Sequence, residues 1–375
     1  MDTFDKLKIL SEASQYDLAC ACGTNDKDRR HRDTAGMGRW LYPVTLPQGG
    51  KSVLLKTLLS SACVSDCKYC PLRAETNARR CTLSPDEIAR VFMEYLRQHE
   101  VFGLFLSSGI INTPDHTMER LNAVARLLRT KHAFKGYIHL KIIPGASAAA
   151  IEDSVSLASA VSLNIETPGE KHFRLLSGRK SYDRDIIEPL KLMSRLTAKG
   201  ERHARVKCTT QFIVGASDES DSEIVKYMFG LYKRLNFERV YFSAYQPGLG
   251  DRAIPGESSF MLSPDDRLLR EHRLYQTDFL IRKYGFDEKE IVFERDGNLS
   301  LALDPKEAWA ISHPAFFPVN LNTADREALL RVPGLGPVSV SRILEMRKSH
   351  RISSPVELSL GPARTNKAAK YAICT

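Results

Sequence analysis

Three cysteines, Cys63, Cys67 and Cys70, lie within eight residues of one another in the pattern C-x3-C-x2-C. Thiolates at this spacing converge on one point, and sulfur ligands suit either zinc or an iron-sulfur cluster. If Cys81, eleven residues further on, is a fourth ligand, the site is a closed zinc site. If only three cysteines hold a 4Fe-4S cluster, one iron stays open to an outside ligand and is reactive. The spacing alone leaves both alternatives open.

The cysteine loop lies in a stretch that predicts alternating strands and helices. From about residue 53 to residue 245, short apolar runs rich in β-branched and aromatic residues alternate with helical patterns, as in parallel β/α units. Ser84, Thr113 and Ser263 each precede a proline and open a predicted helix. The predicted strands cover residues 53–59, 101–107, 137–143, 161–166, 206–214 and 239–244.

This combination of loop and β/α pattern resembles the radical S-adenosylmethionine (radical SAM) superfamily. The signature is C-x3-C-x-aromatic-C after the first strand of a partial barrel, and Tyr69 fills the aromatic position. The resemblance covers about residues 50–250 and implies an α/β fold, a partial (β/α)6 TIM-type barrel. It implies that the three cysteines hold a 4Fe-4S cluster while S-adenosylmethionine (SAM) occupies the fourth iron. One-electron reduction would then cleave SAM to methionine and a 5′-deoxyadenosyl radical, which abstracts hydrogen from the substrate.

The resemblance also implies SAM contacts at the strand ends, where parallel barrels build their sites. After the second strand, where the family often has a Gly-Gly-Glu-like segment, this chain lacks the acid, so only a backbone contact is expected. The fourth strand ends where family members commonly reach the ribose, although an acid there can equally be an ordinary surface residue. No catalytic residue is assigned from the sequence. The predicted cofactor contacts are Tyr69, Ser107, Ser108, Gly109, Asn164, Glu166 and Gly215.

The last part of the chain differs in charge and pattern. Residues 320–375 hold nine Lys and Arg against four Asp and Glu, a net +5 of the chain's +9. Residues 320–347 resemble a helix-hairpin-helix DNA-binding motif, and a degenerate second unit is predicted from about residue 353. The turn of such a motif exposes backbone N–H groups that attract a phosphate oxygen without reading a base. The alternative is a helical hairpin that packs on the barrel or binds protein. The predicted DNA contacts are Gly334, Leu335, Gly336, Arg342, Arg347 and Lys348.

The pattern predicts four segments along the chain. They are an N-terminal extension (1–50), the radical SAM partial barrel (51–284), a connector (285–318) and a small all-α helix-hairpin-helix domain (319–375). The whole chain resembles the bacterial radical SAM proteins assigned to DNA modification or repair. That resemblance implies an enzyme whose partners are DNA, an electron donor of the flavodoxin or ferredoxin type, and a uracil-DNA-glycosylase-like protein.

Two other functions stay open at this point. A radical SAM enzyme that modifies RNA would share every feature of the barrel. A non-enzymatic, zinc-stabilised DNA-binding protein would use the cysteines for structure only.

Composition excludes several classes of protein. With 375 residues, 43% of them hydrophobic and 26% charged, the chain is neither a disulfide miniprotein nor a disordered polymer. No apolar stretch approaches the ~20 residues of a membrane span, and the amino terminus lacks the apolar core of a signal peptide. We therefore predict a cytoplasmic protein without a membrane partner, whose eight cysteines indicate metal or redox chemistry. Cys20, Cys22, Cys81 and Cys208 receive no assigned role, although Cys81 and Cys208 are nominal hydrogen-atom donors. The basic run 27–32 is interpreted as a solvated loop.

Overall fold

The computed structural model describes residues 1–14, 40–45, 50–258 and 262–375. These residues form two compact units. The first comprises Met1–Glu219 and Gly230–Leu262, and the second comprises Ser220–Phe229 and Ser263–Thr375. Cys20, Cys22 and the basic run 27–32 lie outside the described residues. Within the described ranges, every helix is too short or too polar to cross a membrane.

A seven-stranded sheet forms the centre of the first unit. Its strands follow one another in chain order, and it curls into a half-barrel with helices. The first strand is antiparallel to the second, and all later neighbours are parallel. The strands are β1 (Leu41–Thr45), β2 (Lys51–Leu58), β3 (Gly103–Ser107), β4 (Tyr137–Lys141), β5 (Ala160–Ser162), β6 (Lys207–Val214) and β7 (Arg239–Ala244).

Helices follow most of the parallel strands, and the helix starts predicted at Ser84 and Thr113 are confirmed. The Ser84 side chain accepts the Glu87 N–H at 3.2 Å while the Glu87 carboxylate accepts the Ser84 N–H at 2.7 Å, a complete capping box. A π-helical turn covers Asp183–Ile187. The helices are α1 (Thr3–Ser14), α2 (Pro85–Arg97), α3 (Pro114–Thr130), α4 (Ala148–Leu157), α5 (Glu170–Leu176), α6 (Glu188–Leu196), α7 (Asp221–Lys233) and α8 (Pro255–Ser258).

The two faces of the sheet differ in character. Leu104, Leu106, Ile138 and Leu140 alternate along β3 and β4 and are fully buried, as is Met118 of α3. These residues form part of the apolar core, as the period of two in a strand and the period of 3.6 in a helix require. The opposite face of the sheet carries polar and aromatic side chains.

All six predicted strands are present, with two differences at the sheet. The fourth predicted strand, 161–166, ends at Ser162. Beyond it, the Thr210 hydroxyl donates to the Leu163 carbonyl at 2.7 Å and accepts the Ile165 N–H at 3.0 Å. These side-chain bonds replace the backbone bonds of a sheet ladder. The edge strand β1 was not predicted, because it is five residues long and has Pro43 at its centre. The predicted fold is confirmed as a half-barrel of parallel strands with helices.

The second unit is mainly helical. The helix predicted from Ser263 is confirmed, and the segment 285–318, predicted as a connector, contains a further helix. Its apolar core includes Leu321, Leu329, Val332, Val340, Ile343, Ile352 and Leu358. Its elements are α9 (Pro264–Lys283), α10 (Pro305–Ser312), α11 (Arg326–Arg331), α12 (Pro337–Met346), α13 (Pro362–Ala369), β8 (Val319–Asn320) and β9 (Ala372–Ile373), with short 3-10 turns at Glu288–Glu290, Pro314–Phe316 and Pro355–Leu358.

Candidate active site

The cysteines of the C-x3-C-x2-C motif lie on the loop that follows β2, at the edge where the parallel strands end. Hydrogen bonds reach their sulfur atoms. Cys63 Sγ accepts the backbone N–H groups of Ser65 at 3.5 Å and Ile110 at 3.4 Å, and Cys70 Sγ accepts the N–H of Leu72 at 3.4 Å. Donors aimed at sulfur stabilise thiolates and tune the potential of a bound cluster.

The three thiols are close enough to affect one another's ionisation. Burial raises the pKa of Cys70 to about 12, and the negative charges of Cys67 and Cys63 add to this effect. Bound iron offsets both penalties, so three thiols with hydrogen-bonded sulfurs fit a 4Fe-4S cluster that keeps one iron open. Among the described residues, no group of three or more His, Cys, Asp or Glu side chains is placed so that it could hold a single metal ion.

The two buried cysteines named as ligand or hydrogen-donor candidates have other neighbours. The pKa of Cys81 is raised by burial, and the charges acting on it come from Lys6, Glu87 and Arg79 rather than from the motif cysteines. Cys208 is buried at the start of β6, with its sulfur 3.2 Å from the hydroxyl of Thr197. These surroundings give no support to a zinc site completed by Cys81.

Asp66, inside the motif, fastens the cysteine loop to the segment after α5. Its carboxylate accepts the Ser177 hydroxyl at 2.6 Å and the N–H groups of Gly178 at 2.7 Å and Arg179 at 3.1 Å. Burial acts to raise the pKa of Asp66, but these hydrogen bonds outweigh it and lower the pKa. The Arg179 guanidinium returns a hydrogen bond to the Val64 carbonyl at 2.7 Å. The loop is therefore held at both its backbone and its central side chain.

The end of β3 packs directly against the cysteine loop. Ser107 is buried, and the Ser108 hydroxyl donates to the Gly109 carbonyl at 2.7 Å. A Cβ atom at Gly109 would lie 2.4 Å from the Ala62 carbonyl oxygen and 3.1 Å from Cys63 Cβ. Glycine is required here because a side chain would displace the loop. The segment predicted to contact SAM therefore lies beside the first cysteine.

Tyr69, Glu166 and Asn164 come together as a hydrogen-bonded group. Tyr69 Oη donates to Glu166 Oε1 at 2.8 Å, and Asn164 Nδ2 donates to Glu166 Oε2 at 3.4 Å. Burial and the Glu166 charge raise the pKa of Tyr69 well above its usual range, so its hydroxyl stays a donor. Glu166 is only 7% exposed and has a φ of +66°. It is therefore not an ordinary surface acid.

Gly215 follows β6 and takes part in a turn. Its φ is +84°, a region that favours glycine, and its N–H donates to the Glu219 carboxylate at 2.6 Å. A Cβ atom added at Gly256 would lie 2.5 Å from the Gly215 carbonyl oxygen, so the two backbones are in close contact. Gly215 is thus fixed after the end of β6 through backbone contacts.

Lys180 was not found by the sequence reasoning, although it contacts a motif cysteine. Its Nζ donates to Cys67 Sγ at 2.8 Å. Burial acts to lower the pKa of Lys180, but the Cys67 charge and hydrogen bond and the Glu166 charge outweigh it and raise the pKa. The only sequence signal is the basic pair at 179–180, which follows a helix at the carboxyl edge of the sheet.

A cleft of about 330 Å³ adjoins the cysteine loop at Lys180. Arg179, Lys180 and Arg184 line it, and Asp185 accepts a hydrogen bond from Arg184 at 2.8 Å. Three cations against one carboxylate make the cleft suited to an anionic group such as a carboxylate or phosphate. Its lining is completed by Val64, Ser65, Ile110, Pro114, Pro144 and Gly145.

The predicted DNA-contact residues of the hairpin turn have different environments in the second unit. Gly334 packs closely on α13, since a Cβ atom there would lie 2.6 Å from the Arg364 carbonyl oxygen. Leu335 is a core residue, 2% exposed. Gly336 is half-buried and is the residue immediately before α12.

The three predicted basic contacts lie at or near the surface and already have partners. Arg342 donates to the Leu358 carbonyl at 2.8 Å, and Arg347 donates to the Ala324 carbonyl at 2.6 Å. The Lys348 ammonium pairs with a glutamate three residues earlier at 2.7 Å. Arg342 and Arg347 thus also stabilise the fold of the unit.

Residues 57–229 match the family model of the radical SAM superfamily. The chain is therefore a radical SAM enzyme, and its cofactors are a 4Fe-4S cluster and SAM. This result decides the choice that the cysteine spacing left open. Such enzymes need an electron donor such as a flavodoxin or a ferredoxin.

Solved structures of this class resemble the chain at low identity. Methylornithine synthase (PylB) is 14% identical with a TM-score of 0.45, over 74% of this chain and 77% of that chain. The FeFe-hydrogenase maturase HydG from Carboxydothermus hydrogenoformans is 14% identical with a TM-score of 0.47, over 85% of this chain and 76% of that chain. No curated protein gives a significant sequence match.

The protein's own groups prepare the site for this chemistry. When both cofactors are bound, the 4Fe-4S cluster supplies the chemistry of reductive SAM cleavage. The motif cysteines would hold the cluster, and the Lys180 ammonium on the Cys67 sulfur stabilises added negative charge there. Tyr69 and Asn164 orient the Glu166 carboxylate, whose oxygens are acceptors of the kind that ribose hydroxyls require.

Proposed function

We propose that this radical SAM enzyme acts on DNA and holds the phosphate backbone with a helix-hairpin-helix region at residues 319–375. The observation that carries the proposal is a turn that occurs twice. In the first turn Gly334 has a φ of +88° and Gly336 precedes α12; in the second Ser359 has a φ of +50° and Gly361 precedes α13. Both helices begin with proline.

The repeated turn favours phosphate binding for an electrostatic reason. Gly336 and Gly361 have no side-chain acceptor, so neither caps the N–H groups in the first turn of its helix. These N–H groups lie at the positive end of the helix dipole, which attracts an anion. Val338, the second residue of α12, is 79% exposed, so this helix start is open to a ligand. The net +5 of the segment adds a sequence-independent attraction to DNA.

In this proposal SAM lies between the cysteine loop and the strand ends. The Glu166 carboxylate with Asn164 binds the ribose, and the cations of the cleft, Lys180 and Arg184, face the methionyl carboxylate. The Gly109 and Gly215 strand ends flank the cofactor. The substrate nucleotide is flipped or already single-stranded, because a base inside a duplex could hardly reach the half-barrel.

Val338→Glu tests the DNA proposal with little risk to the fold. An exposed carboxylate in the first turn of α12 is favourable for the helix but repels a phosphate at the same place. We expect DNA affinity to fall about tenfold or more at low salt. The slope of log affinity against log salt concentration should become shallower by about one, the contribution of one phosphate contact. The assay is fluorescence anisotropy with a labelled duplex and a labelled single strand across a salt series.

Ile311→Glu is the matched control, because it places the same charge at another exposed apolar position, 54% exposed, in the second unit. The proposal fails if both variants bind DNA as the wild type does, or if both weaken it equally. SAM cleavage without DNA should be the same in all three proteins.

The RNA alternative is tested by the same assay with RNA of identical sequence. Tighter binding of RNA, abolished by Val338→Glu, would replace DNA by RNA as the substrate. A uracil-DNA-glycosylase-like partner stays a prediction that co-purification of the two proteins would test.

A further inference from the structure

Within the cysteine loop, an apolar side chain is exposed beside a cluster ligand. Val64 follows Cys63 directly in the chain and is 46% exposed. The three motif cysteines are themselves only half-buried. A single exposed valine is ordinary on a protein surface, but this one lies one residue from a thiol that would hold the cluster. The loop therefore brings the protein surface next to the cluster.

Two cations lie on or against this loop. Arg179 is exposed, and its guanidinium donates to the Val64 carbonyl at 2.7 Å. Lys68 is half-buried and follows Cys67 directly. Among the residues that the structure describes, neither side chain forms an ion pair, and the Lys68 ammonium has no hydrogen bond. Both charges can therefore pair with a partner from outside.

A third cation comes from the segment that follows β7. The Lys68 N–H donates to the Leu176 carbonyl at 2.8 Å, and the Lys68 carbonyl accepts the Asp251 N–H at 2.7 Å. These backbone bonds hold the end of α5 and the segment after β7 against the cysteine loop. Arg252, the next residue after Asp251, is exposed, and its side chain forms no hydrogen bond or ion pair within the described ranges.

The charges of the segments that meet at the loop are mainly positive. The segments 63–73, 177–180 and 246–252 hold five Lys and Arg against two Asp, a net +3. The Asp66 carboxylate already accepts three hydrogen bonds, and the Asp251 carboxylate accepts the Ala253 N–H at 2.8 Å. Opposite charge steers the association of two proteins, so this surface favours an acidic partner.

The chemistry of the cluster indicates which acidic partner this is. Radical SAM enzymes need an outside electron donor such as a flavodoxin or a ferredoxin, and both of these carriers are acidic proteins. Electron transfer slows steeply with distance, so the donor must dock where the surface is next to the cluster. Contacts between electron-transfer proteins are small and transient. One exposed apolar residue among cations suits such a contact and is too small for a permanent subunit interface.

We propose that Val64, Lys68, Arg179 and Arg252 form the docking surface for the electron donor, an acidic carrier protein of the flavodoxin or ferredoxin type. One electron passes from the reduced carrier to the oxidised cluster, so the carrier loses one electron and the cluster gains one, and no bond forms or breaks. This inference goes beyond the DNA function and does not depend on it, because the cluster needs an electron whatever the substrate is.

The first measurement is the affinity of the cluster-loaded protein for a flavodoxin, by isothermal titration calorimetry under anaerobic conditions across a salt series. Arg252→Glu and Arg179→Glu each reverse one charge of the docking surface. We expect each variant to weaken flavodoxin binding about threefold to tenfold at low salt. The difference from wild type should shrink as salt is added, because salt screens exposed charges.

The second measurement is the rate of electron transfer. Reduced flavodoxin is mixed with the cluster-loaded protein in a stopped-flow instrument, and the absorbance of its flavin reports the loss of one electron. Arg252→Glu should slow this reaction at low salt by the factor that its affinity loses. SAM cleavage driven by photoreduced 5-deazariboflavin, a small uncharged reductant that needs no docking surface, should be unchanged in Arg252→Glu. The same pair of measurements is made with a ferredoxin.

Lys135→Glu is the matched control. Lys135 is exposed just before β4, at the edge of the sheet opposite the cysteine loop, and its reversal changes the net charge of the protein as Arg252→Glu does. It should alter neither carrier affinity nor electron transfer.

The inference is overturned if both loop variants bind and accept electrons from the carriers as the wild type does. Equal weakening by Lys135→Glu would also overturn it, since net charge alone would then explain the effect. So would failure of both carriers to reduce the wild-type cluster. Nucleic acid is the other occupant to test, by fluorescence anisotropy with a labelled single strand. Weaker DNA binding by Arg252→Glu at unchanged carrier affinity would assign this surface to nucleic acid instead.

Discussion

Gly109→Ala tests whether the end of β3 sets the position of the cysteine loop. The added Cβ would lie 2.4 Å from the Ala62 carbonyl oxygen, whereas ordinary contact begins near 3.4 Å. The backbone at 62–63 must therefore shift by about 1 Å, because the obstructing atom is backbone and cannot rotate away. Cys63 is the next residue after the displaced carbonyl, so its sulfur moves with it.

The consequences can be estimated from this shift. Overpacking of this kind costs about 1–3 kcal/mol of stability. Metal–ligand distances tolerate only about 0.2 Å, so a sulfur displaced by about 1 Å is a poor ligand. We expect cluster affinity to fall about tenfold to a hundredfold, the range seen when groups that support metal ligands are removed.

The assay is anaerobic reconstitution followed by iron and sulfide determination, with retention measured against a chelator. Gly230→Ala is the control: it lies in α7, its added Cβ meets nothing within 4 Å, and a helical Gly→Ala change stabilises by up to about 1 kcal/mol. A Gly109→Ala protein with full iron content, normal retention and an unchanged melting temperature would refute the reasoning.

Three further predictions follow from individual contacts. Burial lowers the pKa of Lys306 to about 7, so above that pH the unfolded chain binds a proton that the folded chain lacks. The free energy of unfolding should therefore rise by about 1.4 kcal/mol per pH unit from pH 7 to 9 in urea titrations. The same dependence of this free energy on pH in wild type and Lys306→Met would contradict this. Tyr69→Phe removes the 2.8 Å bond to Glu166 and should weaken SAM binding about tenfold at unchanged iron content, whereas unaltered SAM affinity would count against the ribose assignment. Asp66→Asn removes a charged acceptor of three hydrogen bonds and should speed cluster loss to a chelator, and wild-type retention would show that the loop is held by other contacts.

Most of the half-barrel could be predicted from the sequence, because its signals are local. The six strands follow from apolar runs, and the capping box at Ser84 is complete within four residues. The shortened β5 could not be predicted, since the Thr210 hydroxyl that replaces its ladder bonds comes from β6, more than 40 residues away. The edge strand with Pro43 was missed because it lacks a hydrophobic period of its own.

The sequence alone determined the class of chemistry, because the cysteine spacing, the aromatic residue and the β/α pattern lie along the chain itself. The tertiary structure decided what surrounds the sulfur atoms. Lys180 reaches Cys67 across 113 residues, and Tyr69 reaches Glu166 across 97. A hydrogen bond needs donor and acceptor within about 3 Å, and no periodicity specifies which distant side chains the curled sheet brings that close.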